Sequence, residues 1–206
     1  MEINILKLNL MVESDLTKSD AEKIRGYLGN LFWDNPYVHQ HEKNGSLIYR
    51  YPRVQYKIIN RSCVLIGFNE GLDIIKKKFY DLKEINLGGI WHEILSKGLE
   101  SYTVSFSIIS EQQTQTYSFL TPWLALNEKN YEQYQKLGTW AKKKELLEKT
   151  LIGNIISVSK SLGYTVPEPI KANISSMKEV QTKLKGIPML GFLGKFSVNF
   201  EIPDYL

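Results

Sequence analysis

The chain has one cysteine, Cys63, and three histidines in 206 residues. A single thiol excludes an internal disulfide and any zinc or iron-sulfur site built on several cysteines. The apolar runs are short and interrupted by Lys or Asn, and none approaches the roughly 20 residues that a membrane-spanning helix needs. A secretory leader would show a continuous apolar block behind positive charge. The start Glu2-Ile3-Asn4-Ile5-Leu6-Lys7-Leu8 instead alternates apolar with polar, as a strand does. No phosphate-loop motif, dinucleotide fingerprint or serine-hydrolase elbow is present, which leaves nucleotide hydrolases and oxidoreductases without support. These absences describe a soluble protein of a reducing compartment, expected in the cytoplasm, with no membrane and no cofactor.

What is present is a globular composition, 43% hydrophobic and 23% charged, with 12 tyrosines. The net charge of +4 is mild, but its placement is uneven. Between Glu42 and Arg61 stand Lys43, Arg50, Arg53, Lys57 and Arg61 against Glu42 alone, so that stretch carries the whole surplus. A local cationic stripe suits an anionic polymer, since phosphates are neutralised by clustered cations; a solvated strand face would look the same.

Periodicity predicts a strand over about 2–12, then a helix with Ala21, Ile24, Leu28 and Leu31 inward, ending before Pro36. Residues 37–46 read as an extended link. Val54, Tyr56 and Ile58 alternate with Arg53, Gln55 and Lys57, giving a strand with an apolar and a basic face. Asn60-Arg61-Ser62 is a turn into the buried strand 63–68, and Leu72, Ile75 and Phe79 mark a short helix. A strand at 82–87 completes strand-helix-strand-strand-helix-strand, the ferredoxin-like order. A second series then starts: strands near 102–109 and 115–120, a polar segment 127–136, a helix over about 139–162, strands near 170–175 and 178–185, and a hairpin around 189–196. The expected fold class is α+β, two tandem ferredoxin-like (RRM-like) domains with antiparallel sheets, 1–95 and 96–206.

Two of the three histidines form Val38-His39-Gln40-His41, next to the basic stripe. In an extended chain residues two apart point the same way, so both imidazoles can share one site. With reference pKa values of about 6.5 they suit base and acid roles near neutral pH. Metal-free RNA scission by the ribose 2′-OH is the matching chemistry, with Lys43, Arg50 and Arg53 as candidates to stabilise the phosphorane. A metal pair or two surface histidines without a task would show the same spacing. Tyr49 and Tyr51 interleave with the cations, a composition that stacks bases while holding phosphates, and they could equally pack inward. Cys63 and His92 read as structural, and Lys76–Lys78 and Lys142–Lys144 as solvated helix faces.

Several segments together resemble one family: Arg25-Gly26-Tyr27-Leu28-Gly29-Asn30, the His39 and His41 pair, Tyr49-Arg50-Tyr51-Pro52-Arg53-Val54-Gln55-Tyr56-Lys57, Phe119 to Asn127, Leu151-Ile152-Gly153-Asn154, and Leu190-Gly191-Phe192. They resemble the CRISPR-associated repeat-processing endoribonucleases, the b subgroup of the Cas "six" family in the RAMP superfamily. The resemblance implies metal-independent cleavage within CRISPR repeat RNA, a 2′,3′-cyclic phosphate product, and transfer of the mature RNA to an effector complex whose subunits would be partners. It places the catalytic pair at His39 and His41 and an accessory tyrosine at Tyr49 or Tyr51. RNA contacts are expected from Lys43, Arg50, Tyr51, Arg53 and Lys57. Family members continue past Ile202-Pro203-Asp204-Tyr205-Leu206 into a glycine-rich loop. Monomer and homodimer both stay open, as does a non-catalytic RNA-binding subunit or a protein-interaction module.

Overall fold

In the computed structural model the described residues are 1–17, 19–31, 51–110, 112–184 and 186–206. The chain forms two compact units, Glu2–Val104 and Ser105–Leu206 together with Met1. The expected junction at 95 falls inside a strand that runs unbroken from Ile90 to Ser105, so the division lies about ten residues later.

The first unit opens with β1 (Glu2–Val12) and α1 (Asp20–Leu31). Thr17-x-x-Asp20 caps α1: the Asp20 carboxylate accepts from the Thr17 N–H at 2.9 Å and from its hydroxyl at 2.7 Å. After the segment 32–50 come β2 (Val54–Ile59), β3 (Ser62–Phe68), a short helix α2 (Gly71–Ile74) continued by a π-helical turn (Ile75–Phe79), β4 (Glu84–Leu87) and β5 (Ile90–Ser105). The sheet order is β2-β3-β1-β5-β4. The strand beside β1 in the ferredoxin-like core is therefore β5, whereas the segment expected there, β4, is an added edge strand paired with the start of β5. Both helices lie on one face, because Ile24 and Leu28 of α1 and Ile74, Ile75 and Phe79 of α2 and its extension share a core with Leu6, Leu8, Leu10, Cys63 and Leu65. The opposite parity of the same strands, Ile3, Ile5, Val64, Ile66 and Phe68, is buried too.

Turn chemistry sets both hairpins. Ile59 pairs with Ser62 across Asn60 and Arg61, whose φ values of 49° and 63° belong to a two-residue I′ turn. Leu87 pairs with Ile90 across Gly88 and Gly89 in the same manner, at φ of 68° and 96°.

The second unit contains β6 (Gln115–Ser118), α3 (Glu128–Lys136), α4 (Trp140–Ser161), β7 (Ala172–Leu184) and β8 (Ile187–Val198), with sheet order β6-β8-β7. The polar segment 127–136 is thus a helix, capped by the Asn127 side chain on Asn130 N at 2.8 Å and anchored by the buried Tyr134. The two strands expected over 170–185 are one, bulged between Ile174 and Ser176. Gly194 faces that bulge, where a Cβ would stand 2.0 Å from the Ser176 carbonyl oxygen. Leu147, Leu151 and Ile155 of α4 are buried, and Glu148 accepts from Ile174 N at 2.8 Å, tying the helix to β7. Among the described residues no helix is long and apolar enough to cross a membrane. Both units are α+β with antiparallel sheets, the tandem ferredoxin-like architecture.

Candidate nucleic-acid interface

The basic stripe maps onto β2 and its approach. Val54, Tyr56 and Ile58 join the helix-covered core, so the intervening Arg53, Gln55 and Lys57 belong to the other face. Register extends that face across the sheet: Gln55 opposes Ile66, which opposes Lys7, and Lys57 opposes Val64, which opposes Asn9. His39, His41, Lys43, Tyr49 and Arg50 lie outside the described residues; Tyr51, Arg53 and Lys57 lie within them.

Tyr51 packs its ring on Phe68, centroids 6.0 Å apart, and its hydroxyl oxygen accepts from Gln55 Nε2 at 2.6 Å. Burial pushes the phenol up to about 12, so it stays protonated at neutral pH. A ring packed at a 55° tilt against Phe68, with its hydroxyl engaged by Gln55, weighs toward the inward-packing alternative over base stacking.

Arg53 is only 12% exposed, and its Nε lies 3.1 Å from a Glu70 carboxylate oxygen. Its backbone is held as tightly: the Arg53 carbonyl accepts from Phe68 N at 2.9 Å, and a Cβ on Gly71 would stand 2.1 Å from that same oxygen. Glu70 and Gly71 therefore position Arg53, and reading the chain alone finds neither. The close pair Gly67 and Gly71 is the available signal, since a Cβ on Gly67 would meet the Gly71 carbonyl at 2.7 Å.

Lys57 is half-buried, and burial lowers its pKa from the usual lysine value. It makes no ion pair among the described residues. Arg61 reaches Asp15 at 2.7 Å, with both side chains more than 70% exposed.

The residues read as structural behave accordingly. Cys63 is buried and its thiol is pushed up to about 12 by desolvation, too high for a nucleophile. His92 Nδ1 lies 2.8 Å from the Ser14 hydroxyl. Lys143 and Lys144, expected on a solvated helix face, are instead engaged: Lys143 sits 4.4 Å over the Tyr134 ring and 3.5 Å from Glu179, and Lys144 donates to Asn173 at 2.8 Å. Among the described residues no three His, Cys, Asp or Glu converge as a metal site.

Comparison with known proteins covers nearly the whole chain. Residues 1–105 match the family model of the Cas6b N-terminal domain, and 109–206 that of the Cas6b C-terminal domain. A crystal structure of Cas6b is similar at a TM-score of 0.91 and 36% identity, over 100% of this chain and 93% of that one. A second, of the CRISPR RNA processing endoribonuclease Cas6b, is similar at a TM-score of 0.78 and 33% identity, over 100% and 92%. An uncharacterized protein of Methanocaldococcus jannaschii, MJ0978, is 42% identical over 126 residues, 61% of this chain and 84% of the relative. A type IV Cas6 crRNA endonuclease, Csf5, shares the fold at a TM-score of 0.58 and 10% identity, over 98% of this chain and 91% of that one.

Proposed function

The chain belongs to the Cas6b family, and on that premise we propose that it is an endoribonuclease that cleaves precursor CRISPR RNA within its repeats. The observation that carries this reading is the likeness, over the full chain, to a Cas6b described as a CRISPR RNA processing endoribonuclease.

Within it, His39 and His41 divide the proton transfers. One imidazole takes the proton of a ribose 2′-OH, whose oxygen attacks the adjacent phosphorus. The other, as imidazolium, gives a proton to the departing 5′-oxygen. The P–O5′ bond breaks as the P–O2′ bond forms, which leaves a 2′,3′-cyclic phosphate and a free 5′-hydroxyl. Since the nucleophile is the substrate's own hydroxyl, no step calls for a metal-bound water. Tyr49 is assigned beside the pair as the accessory tyrosine. Lys43, Arg50 and Lys57 supply positive charge to the phosphates, and Arg53 adds to it in proportion as Glu70 is displaced.

The deciding experiment incubates labelled repeat RNA with the protein in excess EDTA. Cleavage with a cyclic-phosphate end is expected, and one 2′-deoxy substitution immediately upstream of the scissile phosphate should abolish it while most affinity survives. Cleavage of that deoxy substrate, or loss of activity on chelation, would replace this scheme with a metal-assisted one. Tight binding without cleavage would instead make the chain a non-catalytic RNA-binding subunit.

A further inference from the structure

A shallow cleft of about 540 Å³ opens between α1 and the β4–β5 turn, lined by Lys23, Tyr27, Asn30, Leu31, Asn86 and Gly88. Positions 23, 27, 30 and 31 recur at helical spacing, so one face of α1 forms the wall. Gly88, held at φ 68°, forms the opposite side, and the methylenes of Lys23 pass 3.6 Å from where its Cβ would stand. Beside the cleft, Trp91 meets the Tyr27 ring edge-on at 5.9 Å and 85°. Even so, Trp91 remains 54% exposed and its neighbour Ile90 64% exposed, on a tight two-residue hairpin.

The polar groups there are the Asn30 and Asn86 amides, the Tyr27 hydroxyl and the Lys23 ammonium, which is paired with Asp20 at 2.8 Å. Asn86 Oδ1 accepts from Gly89 N at 2.9 Å, which leaves its Nδ2 donors unengaged among the described residues. The exposed Asn30 side chain makes no hydrogen bond among them either. A half-exposed indole beside a tight turn, with amide donors and acceptors at its side and no carboxylate among the described lining residues, has what an unpaired nucleobase requires: a flat apolar surface and hydrogen-bonding edges. Of the two tyrosines considered for stacking, Tyr51 is already packed on Phe68, and Tyr49 lies outside the described residues. The cleft also sits where α1 hands the chain on toward the histidines. His39 follows Leu31 by eight residues, a reach of at most about 29 Å.

We propose that this cleft binds one unpaired base of the substrate RNA, stacked on Trp91 and hydrogen-bonded by Asn30 and Asn86. The inference rests on the endoribonuclease reading above and adds a specificity-determining site to it.

The test measures affinity for the repeat RNA by gel shift, using wild type, Trp91→Ala and Trp91→Phe, against a set of RNAs each carrying one abasic position. Loss of one stacked base should weaken Trp91→Ala about tenfold, while Trp91→Phe keeps most of the affinity and reports that the hairpin is intact. One abasic position should weaken wild type by the same factor and leave Trp91→Ala no weaker than it already is. Asn30→Ala should alter base preference at that position alone. If Trp91→Ala binds and cleaves as wild type does, or if every abasic RNA weakens both proteins equally, the cleft holds no base and only this inference falls. If wild type does not bind the repeat at all, it falls together with the reading beneath it.

Discussion

Replacing Gly71 with alanine tests whether the close approach that holds Arg53 is real. The added Cβ would stand 2.1 Å from the Arg53 carbonyl oxygen, where ordinary contact begins at 3.4 Å, so the two backbones must part by about 1.3 Å. Such overpacking costs about 1–3 kcal/mol. The displaced carbonyl also accepts from Phe68 N at 2.9 Å, and weakening that bond adds about 1 kcal/mol. The total expected is about 2–4 kcal/mol. Gly26 provides the matched control: it lies inside α1 with nothing within 4 Å of its Cβ position, so Gly26→Ala should stabilise by about 0.5–1 kcal/mol. Two chemically identical substitutions in one unit should therefore move stability in opposite directions. Hydrogen exchange read on peptides spanning 62–68 follows the first unit alone, and urea unfolding gives the midpoint. Repeat cleavage should fall in Gly71→Ala as well, because shifting the start of β2 by about an ångström disturbs the groups it carries. Unchanged exchange protection in Gly71→Ala, or equal effects of the two substitutions, would refute the packing argument.

Three further outcomes follow from the site and its supports. His39→Ala and His41→Ala should each slow single-turnover cleavage by about 10² to 10⁴, retain binding, and be far from additive when combined; a normal rate in either variant removes that residue from the proton transfers. Lys57→Met should raise stability in urea while weakening RNA binding, with a plot of log affinity against log salt shallower by about 0.7; an unchanged slope would take Lys57 off the phosphates. Asp20 is held at about 2, below its ordinary 3.8, by Lys23 and then by the Thr17 N–H and hydroxyl. A carboxylate depressed on folding gives stability that is present above about pH 4 and lost as pH falls toward 2. Asp20→Ala should cost about 1 kcal/mol at neutral pH and show less of that acid loss; equal acid sensitivity in the two proteins would disprove the capping role.

Elements held by local rules were legible in the chain. β1 follows from alternation, and α4 from its inward stripe together with the Thr139 cap, whose side chain accepts from Lys142 N at 3.5 Å. The turn at Asn60 and Arg61 was likewise readable. Elements held by distant partners were harder to see. β5 carries Gly98 and charged residues and is exposed along most of its length, so its sequence shows no clean alternation. Its pairing with β1 makes it a strand: Phe106 N donates to Met1 O and Glu13 N to Glu93 O at the two ends of an antiparallel run. α3 escaped for a related reason. Tyr134 is its one buried residue, its ring 5.5 Å from Phe192 and its hydroxyl donating to Glu179 at 2.7 Å, contacts that lie outside the segment itself. A single anchor leaves no periodic signature.

The cationic stripe was visible as a composition, but the structure divides its members by what each already touches. Arg53 is nearly buried and its charge is largely answered by Glu70, which is itself 53% exposed, so Arg53→Ala would release that carboxylate to solvent while costing little phosphate contact. Arg61 is paired as well, yet its bridge to Asp15 is surface-exposed and worth little, so a phosphate can displace the aspartate at small expense. Lys57 differs from both. Burial already disfavours its charged form, and among the described residues no carboxylate compensates it. A half-buried ammonium of this kind is a net cost to folding that an approaching anion can offset, so a phosphate gains most there. The three cations, equivalent when counted along the chain, should therefore rank Lys57, then Arg61, then Arg53 in their contribution to the salt dependence of RNA binding. Equal slopes in the three alanine variants would mean that chain position, and not the surroundings of each charge, sets its contribution.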